Sequence, residues 1–180
     1  MNVSDSYMEL VNRGYSRAWN EGAQPYPALC YEIFLLDHAR HKARQKELAL
    51  LDAFQQRYDW QLTRRQRQGY LTSLQRGATL VLTDSAKQIT WASQSFLSMT
   101  GYTPTEVLGQ RPWLLQGRNT DPRTIAYIRK QLNRPQSVKA DLINYRKNGE
   151  QYLCRLTIDP LHNSSGDLTH FIAVEFAVEG

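Results

Sequence analysis

Several groups of side chains in this sequence have types and spacings that could do chemistry. His38 and His41 stand three apart on a helical stretch, with Cys30 two turns earlier, a spacing that could begin a metal or haem site. No third ligand falls at a fitting distance, and a solvated basic helix face accounts for the pair better. Arg64, Arg65 and Arg67, with Tyr58, Trp60 and Tyr70 around them, mix cations with aromatic rings as a phosphate-gripping surface would. They come without a helix-turn-helix signature, so a basic linker helix is the better reading and nucleic acid is not the expected partner. Asp141, Glu150 and Asp159 show no pairing that would set one carboxyl as an acid against another as a base. A Gly-rich phosphate loop, a nucleophile elbow and a metalloprotease motif are all missing. Catalysis is therefore not expected, and neither is a metal site.

The composition sets the bounds within which such groups can act. The chain has 180 residues, 41% of them hydrophobic and 11% aromatic, with 22% charged. That is enough for a true apolar core and is not the composition of a disordered chain. The apolar runs, Ile33–Leu36 and Ala49–Leu51 among them, are far shorter than a membrane span. The start MNVSDSYMEL has no basic region followed by an apolar stretch, so a secretory leader is not expected. Cys30 and Cys154 are too few for a disulfide framework, which points to a reduced, cytoplasmic protein without membrane contact. The net charge of +5 and the pI near 9.3 would suit acidic partners. However, 11 Lys+Arg against 8 acids in residues 1–76 and 11 against 9 in residues 77–180 give +3 and +2, so no separate basic domain exists.

The periodicity divides the chain into 1–76 and 77–180. Tyr7, Leu10, Val11 and Tyr15 predict a helix over about Ser4 to Asn20, broken by Gly22, Pro25 and Pro27. Leu29, Ile33 and Leu36, then Leu48, Leu51, Phe54 and Tyr58, predict a longer helix over about Ala28 to Trp60. The stretch from His38 to Lys46 would be its solvated part. A third helix runs from Leu62 to Leu74. From Ala78 the pattern is strand and turn: strands over Thr79–Thr83 and Ile89–Ala92, then a short helix from Ser93 to Met99 ending at Gly101. Thr103-Pro104-Thr105-Glu106 is a capping box with Pro at the first helical position, and Gly109 suits the end of that turn. Asp121-Pro122 opens another helix, with Ile125, Ile128 and Leu132 on one face. Three strands close the chain, Ser137–Arg146, Glu150–Leu161 and Leu168–Val178, the first two joined through Asn148-Gly149. The order β-β-α-α-α-β-β-β is an α+β fold, a five-stranded antiparallel sheet with helices on one face, preceded by an N-terminal helical extension.

This order and these residues resemble a PAS domain, and within that family the light-oxygen-voltage (LOV) subgroup. The resemblance runs from about Thr79 to Glu179 and leaves the first 76 residues outside it. It is carried by Thr83-Asp84, by Phe96 through Tyr102, by Glu106-Val107-Leu108-Gly109 and by Leu115-Gln116-Gly117. Thr120-Asp121-Pro122, Ile128-Arg129, Asn144 through Gly149 and His170-Phe171 continue it. The resemblance implies a bacterial-type signal-transduction module. Light-sensing members carry Asn-Cys-Arg after the glycine here numbered 109, and that cysteine adds covalently to an excited flavin. In this chain Arg111, Pro112 and Trp113 stand there, and proline has no nucleophile, so the adduct position is lost. Gln116, Arg129 and Asn144 match the family's flavin contacts. Cys154 stands where a second asparagine would hold the ring, and is read as a small core residue. Glu175 stands where a glutamine would. An ionised glutamate there would set two acceptors face to face against a flavin carbonyl. The resemblance therefore implies no covalent photochemistry. No cofactor is expected, and non-covalent FMN, though possible, is not the favoured reading.

Strand alternation adds an inference of its own. Asn144, Cys154 and Glu175 face the same side as Leu142, Leu156 and Phe171. Glu175, an acid on an interior face, is expected to form an internal ion pair with Arg111 or Arg129, the alternative being a part in holding a small ligand. The opposite face carries Ile143, Tyr145, Leu153, Ile172, Val174 and Phe176, too apolar to be left in water. The helices of the first half, or a second chain, should cover it. With Gly180 directly after the last strand, output would be by contact if the chain is complete. The expected function is a non-enzymatic regulatory module acting by homodimerisation or protein–protein contact. A sensor holding a small ligand such as non-covalent FMN in a cavity formed by Gln116, Arg129, Asn144 and Glu175 is the alternative. A DNA-binding regulator using the basic N-terminal helices is the third.

Overall fold

A computed structural model describes residues 28–178. The expected helix over Ser4 to Asn20 lies outside them. Packing divides the chain between Lys42 and Ala43, and the unit from Ala43 onward contains the whole sheet. This division lies upstream of the change in sequence pattern at 76/77, because side chains from residues 43–75 are buried together with those of the sheet.

Helix α1 (Ala28–Arg57) stops three residues before the expected Trp60. The chain turns at Asp59, whose φ is +51°. Trp60 then makes a single bridge to Asn163, and the Gln61 N–H donates to the His162 carbonyl, so this segment is tied to the sheet and cannot continue a helix. Helix α2 (Arg64–Gln75) starts later than its apolar pattern suggested, since Thr63 and Gln66 form a capping box at its N-terminus.

The sheet contains β1 (Thr79–Asp84), β2 (Ile89–Ala92), β3 (Val138–Tyr145), β4 (Gln151–His162) and β5 (Leu168–Val178), in the order β2-β1-β5-β4-β3 and antiparallel throughout. Every strand falls within two residues of its expected bounds. Between β2 and β3 run α3 (Ser95–Thr100), α4 (Pro104–Val107) and α5 (Pro122–Leu132). A 3-10 turn over Pro112–Leu115, absent from the sequence reading, links α4 to α5. The expected caps are all present. Gly101 ends α3 at φ +77°, Thr103 and Glu106 form the box at α4, and Asp121 accepts from the N–H groups of Arg123 and Thr124 at α5.

The two faces of the sheet carry separate cores. On the inner face Val81, Ala173, Phe96, Val107 and Leu115 form one cluster, and Leu142, Cys154, Leu156, Met99 and Ile128 form another. On the outer face Leu80, Leu82, Leu161, Ile172 and Val174 pack against Leu51, Trp60, Tyr70 and Leu74. Trp60 is central there. It stacks on Tyr58, meets His170 edge-on and donates from Nε1 to Thr169 Oγ1 at 3.0 Å. The Tyr70 hydroxyl donates to Asp159 Oδ2, at 2.9 Å, on the same face. From α1, the buried Glu47 accepts from the Gln94 N–H at the start of α3.

The six expected outer-face residues therefore separate. Ile172 (1% exposed) and Val174 (9%) are covered by the chain's own helices and are not available to a second chain. Ile143, Tyr145 and Leu153 are half-buried, and Phe176 is 37% exposed. The part of the face on β3, β4 and the end of β5 is thus less buried than the part under the helices.

Candidate functional site: a cavity on the inner face of the sheet

A cavity of about 540 Å³ lies between the inner face of the sheet and α5. Its volume falls in the range of roughly 300–1,000 Å³ usual for small-molecule sites. Ile125, Ile128 and Leu132, the apolar face recognised in the sequence of α5, line it from the helix side. Leu142, Leu156, Ile158 and Phe171 line it from β3, β4 and β5. Two apolar walls of this kind suit a ring system.

All four expected ligand-binding residues reach this cavity: Gln116, Arg129, Asn144 and Glu175. Gln116 follows the 3-10 turn directly, and its neighbour Gly117 explains why the loop lies where it does. A Cβ at position 117 would stand 2.4 Å from carbons of the Tyr145 ring, so only glycine lets the loop pass over that ring. The loop is then pinned. The Asn119 N–H donates to the Tyr145 hydroxyl at 3.0 Å, and Thr120 Oγ1 donates to the Ile143 carbonyl at 2.6 Å. Among the described residues no side chain holds Gln116 or Arg129 by a hydrogen bond or ion pair, so both are available to a ligand.

Pro112 lies in the cavity wall as the first residue of the 3-10 turn, where its fixed φ suits the turn. Trp113 is 56% exposed, with the Arg111 guanidinium 5.1 Å from its ring centroid. Cys154 is fully buried under the wall, as its reading as a core residue implies, and burial raises its thiol pKa and leaves it unreactive.

The expected ion pair of Glu175 is corrected by the structure. Neither Arg111 nor Arg129 reaches it, although both line the same cavity. Glu175 is 6% exposed, and among the described residues its one hydrogen-bond partner is the Cys154 thiol, which donates to Oε2 at 3.9 Å. Burial without a cation pushes the carboxyl up to about 7, and the thiol offsets this only slightly. The sequence placed Glu175 on the right face, but whether a cation on a neighbouring loop can reach a strand residue is decided by loop geometry.

Register places Asn144, Cys154 and Glu175 on one diagonal of the inner face, since Leu142 pairs with Cys154 and Leu156 pairs with Glu175. Tyr152, paired with Asn144, has a buried hydroxyl with no hydrogen-bond partner. The residues fit a flat ring: two apolar walls, two amides, unpaired Arg129, and Pro112, which has no nucleophilic atom, in the wall. The sequence reading placed Phe171 on this face without naming it as a lining residue, and it missed Lys87 and Thr83. Among the described residues no three His, Cys, Asp or Glu side chains cluster as a metal site would need, and no helix is long and apolar enough to cross a membrane.

Comparison with known proteins agrees with this architecture. A blue-light-activated histidine kinase from Brucella ovis is 39% identical over 90 residues, which are 50% of this chain and 18% of that protein. The Brucella anthropi protein of the same name is 38% identical over the same shares. The chain thus spans less than a fifth of the length of these relatives. Among solved structures, a light-oxygen-voltage domain studied with a flavin analogue superposes with a TM-score of 0.57 and 34% identity, covering 62% of this chain and 85% of that one. The light-state dimer of the fungal blue-light photoreceptor Vivid gives 0.54 and 27%, covering 61% and 92%. The model of the family described as PAS domain matches residues 77–176, which is 100 of 180 positions, and the chain belongs to that family of signalling-sensor domains.

Proposed function

We propose that this chain is a regulatory PAS module of the LOV type that holds a flat, flavin-like ring non-covalently and reports its presence by protein contact. The observation that carries this reading is the cavity of about 540 Å³, walled by α5 and the sheet, into which Gln116, Asn144 and the unpaired Arg129 all project. A flavin would supply light absorption there. Gln116 and Asn144 would meet its polar edge, and Arg129 an anionic tail. Pro112 offers no atom that could bond to it, so illumination forms no covalent adduct at that position. Contact would be made by the partly exposed outer face around Ile143, Leu153 and Phe176, with a second copy or another protein. The likeness to the Vivid light-state dimer supports this kind of output.

Titration of the purified protein with riboflavin, followed by quenching of the flavin's fluorescence, tests the input. Saturable one-to-one binding, with no protein–flavin bond formed under blue light, is expected. No binding would overturn the reading, and the mass of the flavin added covalently to the illuminated protein would overturn the role given to Pro112. For the output, a Leu153→Asp/Phe176→Asp variant should lose self-association or partner capture while it keeps riboflavin. Unchanged association would place the contact elsewhere.

A further inference from the structure

Glu175 is the feature of the cavity that a simple ring-binding slot does not explain. It lines the cavity, is almost wholly enclosed, and touches no cation. The groups that face it are a thiol at 3.9 Å, the Tyr152 phenol further along β4, and Thr79 paired with it across β1. Arg111 and Arg129 belong to the same cavity but lie beyond ion-pair reach. A carboxylate in such a place has no charge to balance it, whereas a carboxylic acid needs none. The acid also has a specific shape. It presents one O–H donor beside one carbonyl acceptor, the same edge that a primary amide offers.

We propose that Glu175 acts in its acid form as a donor–acceptor edge that selects ligands carrying a cis-amide edge, a ring N–H beside a ring carbonyl, as in a lactam or imide. The Glu175 O–H donates to the ligand carbonyl while the Glu175 carbonyl accepts from the ligand N–H. Asn144, on the same diagonal, offers a further amide to the same kind of edge. Ionised, Glu175 would offer two acceptors, repel the ligand carbonyl and select a donor–donor edge such as that of a guanidinium. The inference rests on the proposed ring-binding cavity and names what that cavity reads.

Riboflavin, which has an imide edge and no titrating phosphate, is the probe. Its affinity for the wild-type protein should fall about 30-fold from pH 6 to pH 8.5, as a group half-protonated at about pH 7 requires. Glu175→Gln should match wild type at pH 6 and keep that affinity at pH 8.5. Infrared difference spectra at pH 6 should show a carboxylic-acid C=O band that Glu175→Gln lacks, a readout independent of any ligand. Equal riboflavin affinity for the two proteins at pH 8.5 overturns the inference and leaves the cavity reading standing. Riboflavin bound by neither protein at any pH overturns the cavity reading and the inference with it.

Discussion

Glu175 couples folding to pH in a direction opposite to that of most carboxylates, and the size of the effect follows from its surroundings. Its pKa is about 7 in the folded protein and near the ordinary 4.5 in the unfolded chain. Below pH 4.5 both states hold the proton. Between pH 4.5 and 7 the unfolded chain releases it while the folded protein keeps it, so stability falls as pH rises. Above pH 7 the loss is complete. A difference of 2.5 units at 1.36 kcal/mol each is about 3 kcal/mol. Glu175→Gln has the same size and hydrogen-bonding edge but no proton to lose. The variant should therefore equal wild type near pH 4.5 and exceed it by about 3 kcal/mol at pH 8, roughly 6–12 °C in Tm for a chain of this length. Asp121 and Asp141, whose carboxyls lie below their usual range through hydrogen bonds to Thr124 and Arg155, lose their contribution in acid in both proteins and cancel in the difference. Urea unfolding followed by tryptophan fluorescence at several pH values measures it. A stability difference that stays constant with pH would refute the reasoning, because a carboxyl ionised in both states contributes no slope.

Two further substitutions test how the cavity and the outer face are held. Trp60→Ala removes a ring that is 2% exposed, stacked on Tyr58 and bonded to Thr169. It should cost about 3–5 kcal/mol in chemical unfolding, and a loss under 1 kcal/mol would mean that residues 43–75 do not depend on the sheet. Gly117→Ala forces its Cβ against the Tyr145 ring and should cost about 1–3 kcal/mol. It should also weaken riboflavin binding by displacing Gln116, and the double variant Gly117→Ala/Tyr145→Ala should recover part of both. Failure of the double variant to recover either would place the clash elsewhere.

Much of this fold was legible in the sequence because its signals are local. Asn148-Gly149 set one hairpin, Thr103/Glu106 and Asp121 set two helix starts, and period-two alternation put Asn144 and Glu175 on one face. The 3-10 turn over Pro112–Leu115 was not legible, since four residues carry no periodicity and Pro112 drew attention only as a lost nucleophile. The end of α1 at Arg57 was missed because Tyr58 and Trp60 continue an apolar pattern, yet Trp60 is claimed by β4 and the 162–163 turn instead. The partner of Glu175 was misread for a related reason. Residue type and face can be counted along a strand, but the reach of Arg111 or Arg129 depends on how loops and α5 stand over the sheet.

Strand β5 links the two halves of the proposed sensor. Phe171 and Glu175 line the cavity on one side of the strand, while His170, Ile172 and Val174 meet Trp60, Tyr58 and the outer-face core on the other. These residues alternate along one backbone, so a shift that accommodates a ligand at Phe171 or Glu175 must also move their outer-face neighbours. The neighbours sit in a close-packed core that cannot absorb small displacements continuously. His170 marks the most constrained point. Its Nδ1 is buried without a partner between Tyr58 and Trp60, and burial keeps the ring neutral by lowering its pKa. In the proposed sensor, ligand occupancy therefore acts on the helical side through the backbone of β5, and no separate relay of charged residues is needed to carry it there.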